Sequence, residues 1–110
     1  MGVTRSDIFS IDQNNMAQVA KVLGHPARIA ILQHLAEVDK CICGDLVDTI
    51  GLAQPTISQH LREIKNIGLI KGNIEGTSVC YCIDKNMLKS IVNSFNTLFS
   101  SLSNDGDKCC

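Results

Sequence analysis

The chain has no tryptophan, one tyrosine and two prolines, and no cysteine occurs before position 41. No apolar run approaches the roughly 18 residues of a membrane span, so no membrane partner is expected. The first residues, MGVTRSDIFSIDQNN, lack the basic region and apolar core of a secretory signal. Gly2 and Ser6 match the myristoylation pattern only formally, because no second membrane signal accompanies them. A cytoplasmic location is the expectation. His25, His34 and His60 have neither metalloprotease nor zinc-finger spacing, and there is no phosphate-cradling glycine loop. No catalytic arrangement stands out, so the chain is not expected to be an enzyme or to require a cofactor. No internal repeat is evident.

What remains is ordinarily globular: 110 residues, 45% hydrophobic and 19% charged. That length suits a single domain over 1–110 with a modest core, and chains this small often gain stability by dimerising. The formal net charge of −1 is distributed unevenly. From Gln54 to Gly72 three basic residues, Arg62, Lys65 and Lys71, face one acidic residue, Glu63. Local distribution sets phosphate contacts, and dimerisation would double the excess. Six cysteines are many for this length. Without a secretory signal they point to metal or metalloid binding before a disulfide framework.

In chain order, residues 1–11 are expected to be flexible. Asp12 is placed to cap a helix reaching Leu23-Gly24, with Met16, Val19, Ala20 and Leu23 on one face. His25-Pro26 restarts the chain as a second helix, ending before Asp39-Lys40, with Ile29, Ile31, Leu32 and Leu35 apolar. Cys41-Ile42-Cys43-Gly44 reads as a brief extended segment feeding a third helix, Asp45 to Ile50, closed by Gly51. A fourth helix runs from Gln54 to Asn66, with Ile57, Leu61 and Ile64 spaced for burial. Leu69 to Ile83 reads as a β-hairpin turning at Glu75-Gly76. Asp84 then caps a last helix whose wide apolar stripe, from Met87 to Leu102, exceeds what one small core needs. Residues 103–110 are expected to be flexible. The order is α-α-α-α-β-β-α, mainly α with a β-hairpin wing: a winged helix-turn-helix.

The segments GHPARIAILQHL, CICGDLVDTIGLAQPTISQHLREIKNIGLI and EGTSVCYCID, covering about residues 24–84, resemble the ArsR/SmtB family of arsenic- and metal-responsive repressors. The resemblance implies a homodimer that binds an inverted-repeat operator in double-stranded DNA and leaves it on binding a toxic thiophilic ion. The branch it most resembles senses arsenic through a Cys-Val-Cys-Asp-Leu-Cys run at the third helix. Here Cys41 and Cys43 match, Gly44 intervenes, and Leu46 or Val47 stands where the third cysteine would be. The zinc-sensing branch uses Asp and His on its last helix, whereas residues 85–102 contain no His, Asp, Glu or Cys. The cadmium-sensing branch adds cysteines from an N-terminal arm that has none here, and the persulfide-sensing branch carries a cysteine where this chain has Gln33.

Thiolates suit soft ions such as trivalent arsenic. Cys41 and Cys43 alternate on an extended segment and so project to one side, with Cys43 expected at a helix N-terminus that lowers its thiol pKa. The alternative for the pair is two small buried residues. Trivalent arsenic prefers three thiolates, so the third is assigned to Cys109 or Cys110 at the chain end, against an incidental tail. A two-coordinate site would suit a monosubstituted organoarsenical. Cys80 and Cys82 also alternate. They read first as packing residues and second as a further thiol pair.

The fourth helix would enter the major groove. Gln54, Thr56, Ser58, Gln59 and His60 carry groups that read base edges, while Arg62, Lys65 and Lys71 would bind phosphates. For each polar residue singly, a solvated helix face is the plain alternative, and His60 could equally be a structural hydrogen bonder. The functional expectation is an arsenic-responsive repressor with trivalent arsenic or antimony as inducer. Its alternatives are a thiol redox or persulfide sensor and a cysteine-rich metal-binding protein without DNA.

Overall fold

The computed structural model describes residues 6–38, 41–44, 46–74 and 79–103. Expectations for the hairpin tip at Glu75-Gly76, for Asp45, and for Cys109 and Cys110 fall outside these residues.

Residues 6–11, expected to be irregular, contain a 3-10 turn (Ser6–Ile8) and the start of α1 (Ile11–Leu23). The cap is Ser10, not Asp12: Ser10 Oγ accepts from Gln13 N–H at 3.0 Å, and Gln13 Oε1 accepts from Ser10 N–H at 2.9 Å. This reciprocal pair satisfies two otherwise orphaned donors. The inward residues of α1 are Val19 and Val22, while Ala20 faces solvent. Pro26 opens α2 (Pro26–Val38), whose buried residues are Ile31 and Leu35; Ile29, expected on the apolar face, is exposed.

The extended segment after α2 is strand β1 (Ile42–Cys43). A single turn, α3 (Val47–Ile50), follows and stops at Gly51, which adopts φ +88° as the left-handed C-cap. Leu46, the residue before the turn, is a core residue. After the short Leu52-Ala53 link comes α4 (Gln54–Asn66), with the expected boundaries and with Ile57, Leu61 and Ile64 buried. The wing is β2 (Ile70–Asn73) and β3 (Cys80–Ile83), and α5 (Lys85–Leu102) begins where Asp84 Oδ1 accepts from Met87 N–H at 3.1 Å.

The two-stranded hairpin expected from the sequence is here the larger part of a three-stranded antiparallel sheet, in the order β1-β3-β2. Ile42 lies opposite Tyr81 and Cys43 opposite Cys80, and Gly44 N–H extends the pairing to the Val79 carbonyl at 2.9 Å. On the other side Ile70 pairs with Ile83, Lys71 with Cys82, Gly72 with Tyr81 and Asn73 with Cys80. Side chains alternate across a strand, so this register sorts the sheet into two faces. Ile42, Ile70, Tyr81 and Ile83 face the core formed by Val22, Ile31, Leu35, Ile57, Leu61 and Ile64. Cys43, Lys71, Asn73, Cys80 and Cys82 share the outer face. Gly72 sits at φ +117°, and a Cβ there would collide with the Cys80 carbonyl oxygen. Only glycine lets β2 run so close to β3.

Candidate nucleic-acid interface and cysteine face

Gln54, Thr56, Gln59 and Arg62 are exposed on α4, and Ser58 is half-buried beside them. They form one polar surface linked by hydrogen bonds: Gln54 Nε2 donates to Ser58 Oγ at 3.1 Å, and Arg62 donates to Gln59 Oε1 at 2.7 Å. Gln59 Nε2 donates to Glu63 Oε1 at 3.2 Å, so the amide is oriented from both sides. Ala53, the residue before α4, supplies no side-chain cap. Pro55 has no N–H to offer there, and the Thr56 and Ile57 N–H groups donate to the Ala53 carbonyl at 3.0 and 3.1 Å. Lys65 Nζ donates to the Gly72 carbonyl at 2.7 Å, tying the end of α4 to the wing.

His60 departs from expectation. It is 6% exposed, on the inward side of α4, and so is unavailable for reading bases. Its Nδ1 accepts from Arg28 Nε at 3.1 Å, while Arg28 also donates to the Val22 carbonyl at 3.0 Å. The His25 ring lies 4.4 Å away. Burial first, then the neighbouring His25 and Arg28, lowers the His60 pKa from its ordinary value. A neutral imidazole that accepts from a guanidinium is the form this site holds. His60 therefore fastens α2 to the back of the α4 surface. The spacing Ile57, His60, Leu61, Ile64 is a single helical stripe, and that signal marks His60 as inward.

Lys71 also departs from a purely DNA-facing role. In register it lies opposite Cys82 on the outer face of the sheet, and its charge lowers the Cys82 pKa.

That outer face gathers more sulfur than expected. Cys43 is disulfide-bonded to Cys80, its cross-strand partner. One register step along, the Cys82 thiol hydrogen-bonds the Cys41 sulfur. This bond, with burial and the charge of Cys41, raises the Cys82 pKa overall. Cys80 and Cys82, read first as packing residues, are thus the partners of Cys43 and Cys41. The repeated Cys-x-Cys spacing in two strands was the available signal; which strands pair was not in it. Cys43 also lies in β1, ahead of Leu46 and the short α3, so the expected help from a helix N-terminus does not apply. Leu46 is 1% exposed in the core and leaves no room for a further ligand there. Among the described residues no group of three His, Cys, Asp or Glu stands ready to hold a metal ion.

Beside Cys41 and Cys82 a cleft of about 380 Å³ opens, lined also by Leu35, Ala36, Ile83, Lys85 and Leu88. Ile8, Phe9 and Ile11 before and within α1, and Val92, Phe99 and Leu102 on α5, are exposed apolar residues. Among the described residues no helix is long and apolar enough to cross a membrane.

Residues 25–71 match the family model described as "Bacterial regulatory protein, arsR family". The chain is 39% identical over 77 residues to an uncharacterized HTH-type transcriptional regulator of Methanocaldococcus jannaschii, covering 69% of this chain and 85% of that one. It is 36% identical to the HTH-type transcriptional repressor SmtB of Mycobacterium tuberculosis over 68% of this chain, but spans only 55% of that repressor's length. To the cadmium resistance transcriptional regulatory protein CadC homolog of Staphylococcus aureus it is 33% identical, over 80% of this chain and 73% of that one. Its fold matches the crystal structure of NolR from Sinorhizobium fredii with a TM-score of 0.59 at 19% identity, over 90% of this chain and 96% of that one. These likenesses agree with the winged helix-turn-helix architecture. The chain belongs to the arsR family of bacterial regulatory proteins and is a DNA-binding transcriptional repressor, not an enzyme.

Proposed function

We propose that this repressor binds its operator as a homodimer and releases it when a trivalent arsenic or antimony compound engages Cys41 and Cys43. The observation that carries this reading is the position of Cys41 and Cys43. Cys43 ends, and Cys41 immediately precedes, a strand that pairs with wing strand β3 and leads on to α3 and α4. Sulfur chemistry there acts on both elements that would contact DNA. Gln54, Thr56, Ser58 and Gln59 would read base edges, and Arg62, Lys65 and Lys71 would hold phosphates. The exposed apolar residues of α1 and α5 support the homodimer, because an uncovered patch of this kind is costly in water. A two-fold dimer would set its two α4 helices about 34 Å apart, one turn of DNA.

Cys41 and Cys43 would supply two thiolates, with a third from β3 opposite or from Cys109 or Cys110. Use of Cys43 requires the bond to Cys80 to be reduced. Release needs a coupling of only about 1–3 kcal/mol, a 5–150-fold change in affinity. The test is operator binding by fluorescence anisotropy during an arsenite titration of the reduced protein. Wild type loses affinity; the Cys41→Ser/Cys43→Ser variant holds its DNA throughout. An unchanged arsenite response in that variant would sink the reading.

The Cys43–Cys80 bond favours a second reading, a thiol redox sensor. Peroxide would oxidise both thiols to the disulfide, releasing two waters per peroxide. If this is the signal, peroxide changes operator affinity in wild type but not in Cys80→Ser, and arsenite changes neither.

A further inference from the structure

We infer that Cys41 and Cys82, at the mouth of the cleft between the end of α2, the sheet and the start of α5, form a dithiol site for a monosubstituted trivalent arsenical, R–As(OH)2, whose organic group fills the cleft. The inference rests on the thiol-sensor reading above and narrows its ligand. With Cys43 and Cys80 joined, Cys41 and Cys82 are the free sulfurs among the described residues. Cys82 is on β3 and Cys41 immediately precedes β1, so the antiparallel register continued by one step sets the two opposite each other, and both line the same cleft. Opposed residues on one face of an antiparallel pair have Cβ atoms about 4.5–5.5 Å apart, a span that one arsenic atom bridges through two sulfurs. Inorganic arsenite, which favours three thiolates, finds only two there. An arsenical that carries one carbon substituent needs only two.

The surroundings select the substituent. Leu35, Ala36, Ile83 and Leu88 give the cleft an aliphatic lining, and its volume of about 380 Å³ admits an aryl or short alkyl group. Small-molecule sites are commonly of this kind, an apolar recess of about 300–1,000 Å³ with a few polar groups fixing orientation. The reaction is a condensation. Two As–O bonds break and two As–S bonds form, and each thiol proton leaves with a hydroxyl as water. Arsenic stays trivalent, so no oxidant or reductant is consumed. The product ties the residue before β1 to β3, one step along from the existing disulfide.

The experiment uses the full chain without reductant, in a Cys109→Ser/Cys110→Ser background so that adjacent thiols elsewhere do not compete. Phenylarsine oxide, which hydrates to the dihydroxy form, is the probe, read by intact mass and by titration of free thiols. One phenylarsenic unit per chain is expected, with loss of both titratable thiols. Cys41→Ser and Cys82→Ser each abolish the adduct, whereas Cys43→Ser/Cys80→Ser retains it. Leu88→Trp, at a partly exposed position, fills the cleft and weakens phenylarsine oxide binding at least about tenfold, by analogy with blocking any apolar recess, while sparing the methyl analogue. Arsenite binds the disulfide-bonded chain at least about tenfold more weakly than the probe. Retention of the adduct in Cys41→Ser and Cys82→Ser overturns the site. So does arsenite binding as tight as the probe's, or an unchanged probe affinity in Leu88→Trp. An adduct that forms at these residues yet leaves operator affinity unchanged overturns the sensor reading and keeps the site; operator release with no adduct does the reverse.

Discussion

The α4 surface and the cysteine face of the sheet are built on opposite principles. Gln54, Thr56, Gln59 and Arg62 are brought together by one helix, and each is within five residues of the next. Cys43 and Cys80 are 37 residues apart and meet only because β1 adds to the edge of the wing. The first surface is a property of a segment, the second a property of the fold. The difference implies that the α4 surface tolerates damage to the sheet better than the sulfur site does. It also implies that each can be disabled without the other, except through the core residues they share.

Tyr81 is the place to break both. It is 1% exposed and packs between the two outer strands, opposite Ile42 and Gly72. Tyr81→Ala is expected to cost about 3–5 kcal/mol, as for other large aromatic truncations, measured by urea unfolding. A loss below about 1 kcal/mol would mean that the sheet is not part of the cooperative core. The Tyr81 hydroxyl is buried without a partner among the described residues, and burial pushes its pKa up to about 12. Tyr81→Phe should therefore leave stability unchanged or raise it, which separates the ring from its oxygen.

Reducing the Cys43–Cys80 bond comes next in size. Closing a loop across 37 residues restricts the unfolded chain, worth about 2–4 kcal/mol. Thermal unfolding with and without a phosphine reductant should show that loss in wild type and none in Cys43→Ser/Cys80→Ser. The circular dichroism of the helices should persist at room temperature, since α4 does not depend on the bond.

Arg62→Ala tests the other side of the comparison. If Arg62 holds a phosphate or a base edge, operator affinity falls by about 1–3 kcal/mol, with a shallower dependence on salt. Reactivity of the Cys41 and Cys82 thiols should be unaltered. A parallel change in thiol reactivity would show that the two surfaces are not separable in the way their construction implies.

The smallest expected effect concerns the fastening between them. His60 has a folded pKa below its ordinary 6.5, so the fold disfavours its protonated form. The unfolded chain then takes up more protons, and stability falls as pH drops below about 6.5 towards the folded value. The contribution is fully present above 6.5. In His60→Gln that part of the pH dependence should flatten, as read from urea midpoints between pH 7.5 and 5.

Much of the fold was legible because helices are local. Proline at the start of α2, the apolar stripe of α4 and the Asp84 cap each follow from residues within a turn or two. Misplacements had local causes as well. Ser10 displaced Asp12 as the cap because Gln13 completes a reciprocal pair with it. His60 looked polar and therefore outward, although its spacing put it on the buried stripe where Arg28 meets it.

By itself, then, the sequence determined the helices, the helix-turn-helix with the polar surface of its second helix, and an extended Cys-x-Cys segment at Cys41 and Cys43. It could not determine which sulfurs are neighbours. Strand pairing joins segments far apart in the chain, and a shift of one residue would turn the cysteines to the other face. Only the register of β1 on β3 set Cys43 against Cys80 and left Cys41 and Cys82 together beside an apolar cleft.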